Sequence, residues 1–161
     1  MIVSDTTPIS NFLHLDRIEI LEQMFPAIHI PEAVRQEIET AFSYNVRWQQ
    51  RLKDGFLVIR KVKNPLLARQ LLLKLHPGEA EALCICIENN AKLCLLDDKD
   101  ARIAAALNHI PVIGTLGILI QAKKRGLIGS VKEMMDILKN QHHFWISKAM
   151  YEEVLRLSHE N

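Results

Sequence analysis

Acidic side chains follow two predicted strands at the points where the strands end. The first apolar run closes with Ser4 and Asp5, and the later run KLCLL is followed by Asp97 and Asp98. In an open α/β sheet, ligands bind beyond the carboxyl ends of the strands. For each aspartate the alternative role is to cap the next helix. Thr7 is predicted to cap the helix after the first strand, which leaves Asp5 without an obvious structural role.

A predicted helix over Glu32–Phe42 carries three glutamates. At about 100° per residue, Glu37 lies nearest the edge of the apolar face, whereas Glu32 and Glu39 point further towards solvent. Glu37 is therefore the glutamate whose side chain can point into a cleft. A solvated surface position is the alternative interpretation.

The stretch HPGEAEALCICIE places two more acids after the break at Pro77 and Gly78. Glu79 and Glu81 are predicted to lie in the first turn of a helix that is apolar almost all round, so the helix is expected to be buried. Acids at the start of a buried helix need partners. They either complement the positive end of the helix or contribute to a site.

Several carboxylates in one poorly solvated cleft repel each other unless cations neutralise them. Hard oxygen ligands without histidine or thiolate favour Mg²⁺ or Mn²⁺. Such ions lower the pKa of a bound water, orient it for in-line attack on phosphorus and stabilise charge on the leaving oxygen. The pattern therefore predicts a metal-assisted phosphodiester hydrolase.

The whole chain limits the alternatives. A chain of 161 residues, 48% of them apolar, has the size of one domain. Its formal charge of +1 is too small to attract nucleic acid through an overall electrostatic field. Neither a leader nor an apolar run of about 18 residues is found, which predicts a soluble cytoplasmic protein without a membrane anchor. The three cysteines, Cys84, Cys86 and Cys94, are predicted to be reduced core residues. There is no GxGxxG or GxxxxGK[ST] motif after the first strand to indicate a nucleotide binder.

Short β-rich runs alternate with segments of helical periodicity, which predicts an α/β fold with a parallel sheet covered by helices on both faces. Pro31 is predicted to start the second of these helices. The tail is predicted to hold helices over Val131–Asn140 and Lys148–Leu157 around an FWIS segment whose aromatic side chains pack on the body. The predicted strands are Ile2–Ser4, Ala27–Ile30, Phe56–Val62, Lys92–Leu96 and Ile110–Ile113.

Five blocks of this sequence together resemble a PIN domain, in the prokaryotic branch similar to VapC toxins. The likeness runs in order over roughly residues 1 to 130, and the tail FWISKAMYEEVLRLSHE resembles the ending of this branch. We therefore expect one PIN-like domain over 1–161, with a core over 1–130 and a helical tail over 131–161. The blocks are IVSDTTPISNFLHL, PEAVRQEIE, HPGEAEALCICIE, LLDDKDARIAAALN and VIGTLGILIQAKKRGLI.

The resemblance implies a three-layer α/β/α fold with strand order 3-2-1-4-5 and an acidic quartet that binds one or two Mg²⁺ or Mn²⁺ ions. By position the first acid is Asp5, the second is Glu37 and the fourth is Asp98, with Asp97 adjacent. The third is Glu81, which matches a family pattern of an acid before Ala-Leu, or Glu79 beside it. Hydroxyls expected to support the acids belong to Thr6, Ser10 and Thr115.

The resemblance also implies that the substrate is RNA and that the protein is a toxin ribonuclease, held inactive by a small antitoxin and acting as a homodimer. A PIN domain without cleavage activity, serving as an RNA-binding or protein-interaction module, is the alternative. The cluster Lys123 to Arg125 is either a further phosphate contact or a solvated helix face. The main candidates for RNA contact are Lys99, Arg102, Arg47 and Arg51, with Lys53 on the same helix as the last two.

Overall fold

Five parallel strands form one sheet in a computed structural model that describes residues 1–161. Their order is β3-β2-β1-β4-β5, as the family likeness implies. The register aligns Val3 of β1 with His29 of β2 on one side and with Cys94 of β4 on the other. The strands are β1 Ile2–Ser4, β2 Ile28–Pro31, β3 Leu57–Arg60, β4 Leu93–Leu95 and β5 Val112–Ile113.

Ten helices cover the sheet and complete a three-layer α/β/α fold. No helix combines the length and the apolar character that crossing a membrane requires. The helices are α1 Thr6–His14, α2 Glu19–Met24, α3 Glu32–Phe42, α4 Val46–Lys53, α5 Pro65–Leu71, α6 Pro77–Asn89, α7 Lys99–Leu107, α8 Thr115–Lys124, α9 Val131–Gln141 and α10 Lys148–Leu157.

Two hydrophobic clusters enclose the sheet. Successive side chains of a strand point to opposite faces, so along β4 Leu95 joins the larger cluster and Cys94 joins the smaller one. The larger cluster also contains Phe12 of α1 and Met135 of α9. The three cysteines are buried and free, as predicted. Both faces of the central strands are therefore buried from water, which explains why the sequences of these strands are almost wholly apolar.

Helix starts differ from the prediction at two strand ends. Thr7 is not an N-cap, because α1 already begins at Thr6 and Asp5 occupies the cap position without a side-chain cap bond. Pro31 does not start α3 but ends β2 and precedes the first helical residue, Glu32. In both cases the strand passes directly into the helix, so the turn lies at the edge of the sheet.

The tail is anchored by the last glutamate. The carboxylate of Glu160 accepts bonds from the Ser130 hydroxyl and the Val131 amide at 2.8 and 2.7 Å, and it pairs with Lys123 at 3.0 Å. Burial raises the pKa of Glu160, but these bonds outweigh burial and lower the pKa to about 2. The predicted aromatic packing is only half correct: Phe144 packs against the larger cluster, whereas Trp145 is 82% exposed.

Candidate functional site

A cleft of about 300 Å³ lies at the carboxyl edge of the sheet. Parallel strands with helical crossovers bring the beginnings of several helices to one edge. Here the starts of α1 and α6 and the middle of α3 contribute the walls. The residues that line the cleft are Asp5, Thr6, Thr7, Glu37, His76, Pro77 and Glu79.

Asp5 is the most buried acid in the cleft, with 3% of its surface exposed. Its backbone amide donates to the Leu95 carbonyl at 3.1 Å, which fixes the end of β1 against β4. Burial raises the pKa of Asp5 to about 7, and repulsion from Glu79, Glu37 and Asp97 adds to the rise, although a bond from the Thr6 backbone opposes it. A buried carboxyl of this kind, in a cleft with like charges, is typical of a functional group.

Glu37 reaches the same place from α3. Its carboxylate accepts a bond from the Thr6 hydroxyl and one from the Gly78 amide at 3.0 Å. A Cβ atom at position 78 would lie 3.0 Å from the Asp5 carboxylate and 2.8 Å from that of Glu37. The two carboxylates therefore converge on one point, and only glycine leaves room for them there.

The two candidate third acids face different neighbours. Glu79 lines the cleft, where burial raises its pKa and repulsion from Asp98 adds to the rise, while a bond from the His76 amide at 3.0 Å opposes it. Glu81 instead accepts a bond from the Ala33 amide at 3.1 Å, at the first turn of α3. The prediction that both lie in the first turn of α6 is wrong, because only Glu79 does.

Asp97 is held by Thr115 of α8. Its two carboxylate oxygens accept the Thr115 amide at 2.8 Å and the Thr115 hydroxyl at 2.6 Å. Asn11 of α1 in turn donates to that hydroxyl at 3.0 Å. Burial raises the pKa of Asp97, whereas these bonds and the positive charge of Arg102 lower it. The network joins α1, β4 and α8 behind the cleft.

Asp98, directly after Asp97, caps α7. Its side chain accepts a bond from the Ala101 amide at 2.9 Å, and the residue is exposed. In the structure Asp98 therefore has the capping role. Its negative charge also helps to raise the pKa of Glu79. Of the three hydroxyls, Thr6 and Thr115 contact acids of the site, whereas Ser10 is half-buried on α1 and makes no side-chain hydrogen bond.

The four candidate RNA contacts separate into two groups. Lys99 and Arg102 are exposed on the first turns of α7, beside the acidic cleft, and neither forms an ion pair. Arg102 donates to the Leu96 carbonyl at 3.0 Å. Arg47 pairs with Asp16 at 2.8 Å, and Arg51 with Glu22 at 2.8 Å. Neither of these two pairs lines the cleft.

Two residues near the acids were not among the predicted site residues. His76 lines the cleft as the cap position of α6, and Asn11 supports Thr115. The HPG sequence before the helix was a usable signal for His76. Asn11 gave no signal, because its partner lies 104 residues away.

The donors in the cleft are suited to a hard dication. Asp5 and Glu37 meet at Gly78, and neither forms an ion pair with a cationic side chain. Burial and repulsion from the neighbouring acids raise the pKa of Asp5. No three histidine, cysteine, aspartate or glutamate side chains stand close enough to enclose one ion in this arrangement. The carboxylates of Glu37 and Glu79 are engaged by backbone amides, so small side-chain rotations would be needed to complete a coordination shell.

Fold and site together define a three-layer α/β/α domain with an acidic cleft at the carboxyl edge of its sheet. The chain belongs to the PIN-domain family: the family DUF3368, a PIN domain, matches residues 1–160. PIN domains are generally nucleases and typically use divalent metals. No curated protein and no solved structure matches the chain.

Proposed function

We propose that the protein is a metal-dependent endoribonuclease that hydrolyses RNA phosphodiester bonds with Mg²⁺ or Mn²⁺ in the acidic cleft. The observation that carries this proposal is the convergence of Asp5 and Glu37 at Gly78, with Asp5 buried and its pKa raised. Burying an uncompensated carboxylate is costly, so a fold that retains one there favours a cationic ligand. Membership of the PIN-domain family supports the same reaction.

In this mechanism Asp5 and Glu37 would hold the ion, with Glu79, Asp97 and Asp98 adding negative charge around it. The chemistry that a bound divalent ion supplies is activation of water and stabilisation of charge on the leaving oxygen. Thr6 and the Gly78 amide orient Glu37, and Thr115 orients Asp97. Lys99 and Arg102, unpaired beside the cleft, would contact RNA phosphates.

Metal dependence tests the proposal directly. Purified protein is expected to cleave single-stranded RNA with Mg²⁺ or Mn²⁺, to lose cleavage in EDTA and to regain it when either ion is restored. The same ions are expected to raise the melting temperature, because they bind only the folded cleft. RNA binding without cleavage under every metal condition would contradict the nuclease proposal and favour a binding module.

Gly78→Ala is expected to weaken Mg²⁺ binding and to lower cleavage about tenfold to a hundredfold, because the new methyl group would displace the Glu37 carboxylate. Stability is expected to fall by about 1–3 kcal/mol, because crowding of the two carboxylates outweighs the better helix propensity of alanine. Gly129→Ala is the matched control, because no atom lies within 4 Å of its added Cβ. Equal Mg²⁺ affinity in both variants would show that Gly78 does not shape the site.

We further propose, from the likeness to VapC toxins, that this nuclease arrests growth and is neutralised by a small antitoxin in the cytoplasm. Growth arrest after induced expression, relieved by co-expression of a small antitoxin protein, is the corresponding observation. A cleaving protein that does not arrest growth would leave the nuclease proposal intact and remove only the toxin role.

A further inference from the structure

The acidic cleft offers hydrogen-bond acceptors to a substrate that is itself an acceptor. The carboxylates of Asp5, Glu37 and Glu79 line it. An RNA phosphate is an anion whose free oxygens only accept hydrogen bonds. A bound dication neutralises the charge of two carboxylates, so a phosphate in this cleft also needs N–H or O–H donors from the chain.

Most of the donors around the cleft are already engaged by its acids. The Thr6 hydroxyl and the Gly78 amide both donate to Glu37. The donor side chains that remain in the lining are the Thr7 hydroxyl and the His76 imidazole. Thr7 is half-buried, whereas His76 is exposed. The His76 ring is therefore the more accessible donor for an RNA strand that enters the cleft.

The sequence HPG fixes where this ring stands. A proline disfavours the helical conformation of the residue before it, and His76 accordingly has φ −69° and ψ 160°, just outside the first turn of α6. Its backbone amide donates to the Glu79 carboxylate at 3.0 Å, which holds the residue at the cleft. No carboxylate forms an ion pair with the imidazole. The backbone of His76 is thus anchored while its ring is free to meet a ligand.

We propose that His76 is a substrate-binding residue, which donates an imidazole N–H to a phosphate oxygen of RNA in the cleft. This role rests on the proposed ribonuclease function. Imidazole carries an N–H whether it is neutral or protonated, so the contact does not require a charged ring. A phosphate oxygen is present in the bound substrate as well as in the transition state, so loss of the contact should raise KM more than it lowers kcat.

Three substitutions at this position separate the hydrogen bond from the helix start. His76→Gln keeps a side-chain N–H but is a poor helix cap, His76→Ser is a good cap with a much shorter donor, and His76→Ala lacks both. We expect the serine and alanine variants to raise KM for RNA cleavage about tenfold with kcat within about twofold, and the glutamine variant to stay within about threefold. Recovery by serine but not by glutamine would show a capping role and overturn the proposal.

His143→Asn is the control, because His143 is exposed, does not line the cleft, and asparagine accepts its positive φ of 56°. Its KM should equal that of wild type. Melting curves establish that every variant folds and measure the stabilisation by Mg²⁺, which should be the same in His76→Ala as in wild type. Loss of that stabilisation would identify His76 as a metal ligand and overturn the phosphate contact.

The same variants distinguish failure of this role from failure of the nuclease proposal. If wild type cleaves RNA and His76→Ala has an unchanged KM, the His76 contact is wrong and the nuclease proposal stands. If wild type cleaves no RNA, the Kd for a labelled single-stranded RNA in Mg²⁺ replaces KM as the measurement. A Kd raised about tenfold in His76→Ala would then support the contact in a non-cleaving module, and an unchanged Kd would overturn it.

Discussion

Asp5→Asn is expected to lower RNA cleavage by about a thousandfold or more, equivalent to ~4 kcal/mol of transition-state stabilisation. Asp5 is the most buried acid in the cleft and meets Glu37 at Gly78, so its charge is the one best placed to hold a dication. The amide keeps the shape of the side chain but removes the charge. Single-turnover cleavage of a labelled RNA measures the loss, and retention of activity would remove Asp5 from the metal site.

The same variant should have an opposite effect on stability in the absence of metal. The pKa of Asp5 is about 7 in the folded protein against 3.8 ordinarily, so its contribution is favourable below about pH 4 and is lost as the pH rises through about 7. At pH 8 we therefore expect Asp5→Asn to be more stable than wild type by about 1–3 kcal/mol in EDTA. The difference should shrink as the pH falls to 5, because wild-type Asp5 then becomes protonated.

Urea denaturation at pH 5 and pH 8, with EDTA and with Mg²⁺, measures this effect. Mg²⁺ should stabilise wild type and leave Asp5→Asn nearly unchanged, because the ion binds the charged form. Asp16→Asn is the matched control, since Asp16 is exposed beyond the far end of α1 and asparagine accepts its positive φ of 56°. A wild-type stability that is flat between the two pH values would contradict the buried, uncompensated charge.

Glu79→Gln and Glu81→Gln should differ sharply in activity. We expect Glu79→Gln to lower cleavage about a hundredfold, because Glu79 lines the cleft and faces the charge of Asp98. Glutamine at this position can still accept the His76 amide bond, so the helix start should persist. Glu81→Gln should stay within about threefold of wild type, because its carbonyl can keep the bond from the Ala33 amide.

Parallel kinetics and melting curves of the two variants distinguish the assignments. Similar melting temperatures with a large difference in cleavage would identify Glu79 as the third acid. The reverse order of activities would identify Glu81 instead, and would require the start of α6 to rotate when metal binds. Equal, small losses would show that neither glutamate takes part.

The sheet and most helices were predictable because hydrophobic periodicity and the residues at strand ends can be read within short stretches of sequence. The predicted strand β1 and helix α3 have the bounds of the structure, and the strand order agrees with the family likeness. The start of α1 was not predictable from capping preference. A threonine before a proline is a good cap, but here the chain turns at Asp5, whose amide is already bonded to Leu95 of β4.

The site was harder to predict where an outcome depends on a distant contact. Glu79 and Glu81 are two residues apart, which on a helix is a rotation of about 200°, so only the packing of α6 decides which one lines the cleft. Arg47 and Arg51 looked free in the sequence, but their acidic partners lie in a turn and helix before β2. The Asp97–Thr115–Asn11 network also joins residues up to 104 positions apart, and no local pattern contains it.

The bond between Asp97 and Thr115 has a consequence for synthesis of the protein. Asp97 follows β4, but its two hydrogen-bond donors belong to Thr115 at the start of α8, after the edge strand β5 has been added. A nascent chain that has not yet released Thr115 from the ribosome therefore lacks the group that fixes this acid. The Asp97 carboxylate is therefore fixed only after residue 115 has left the ribosome, whereas all the residues that line the cleft are synthesised earlier.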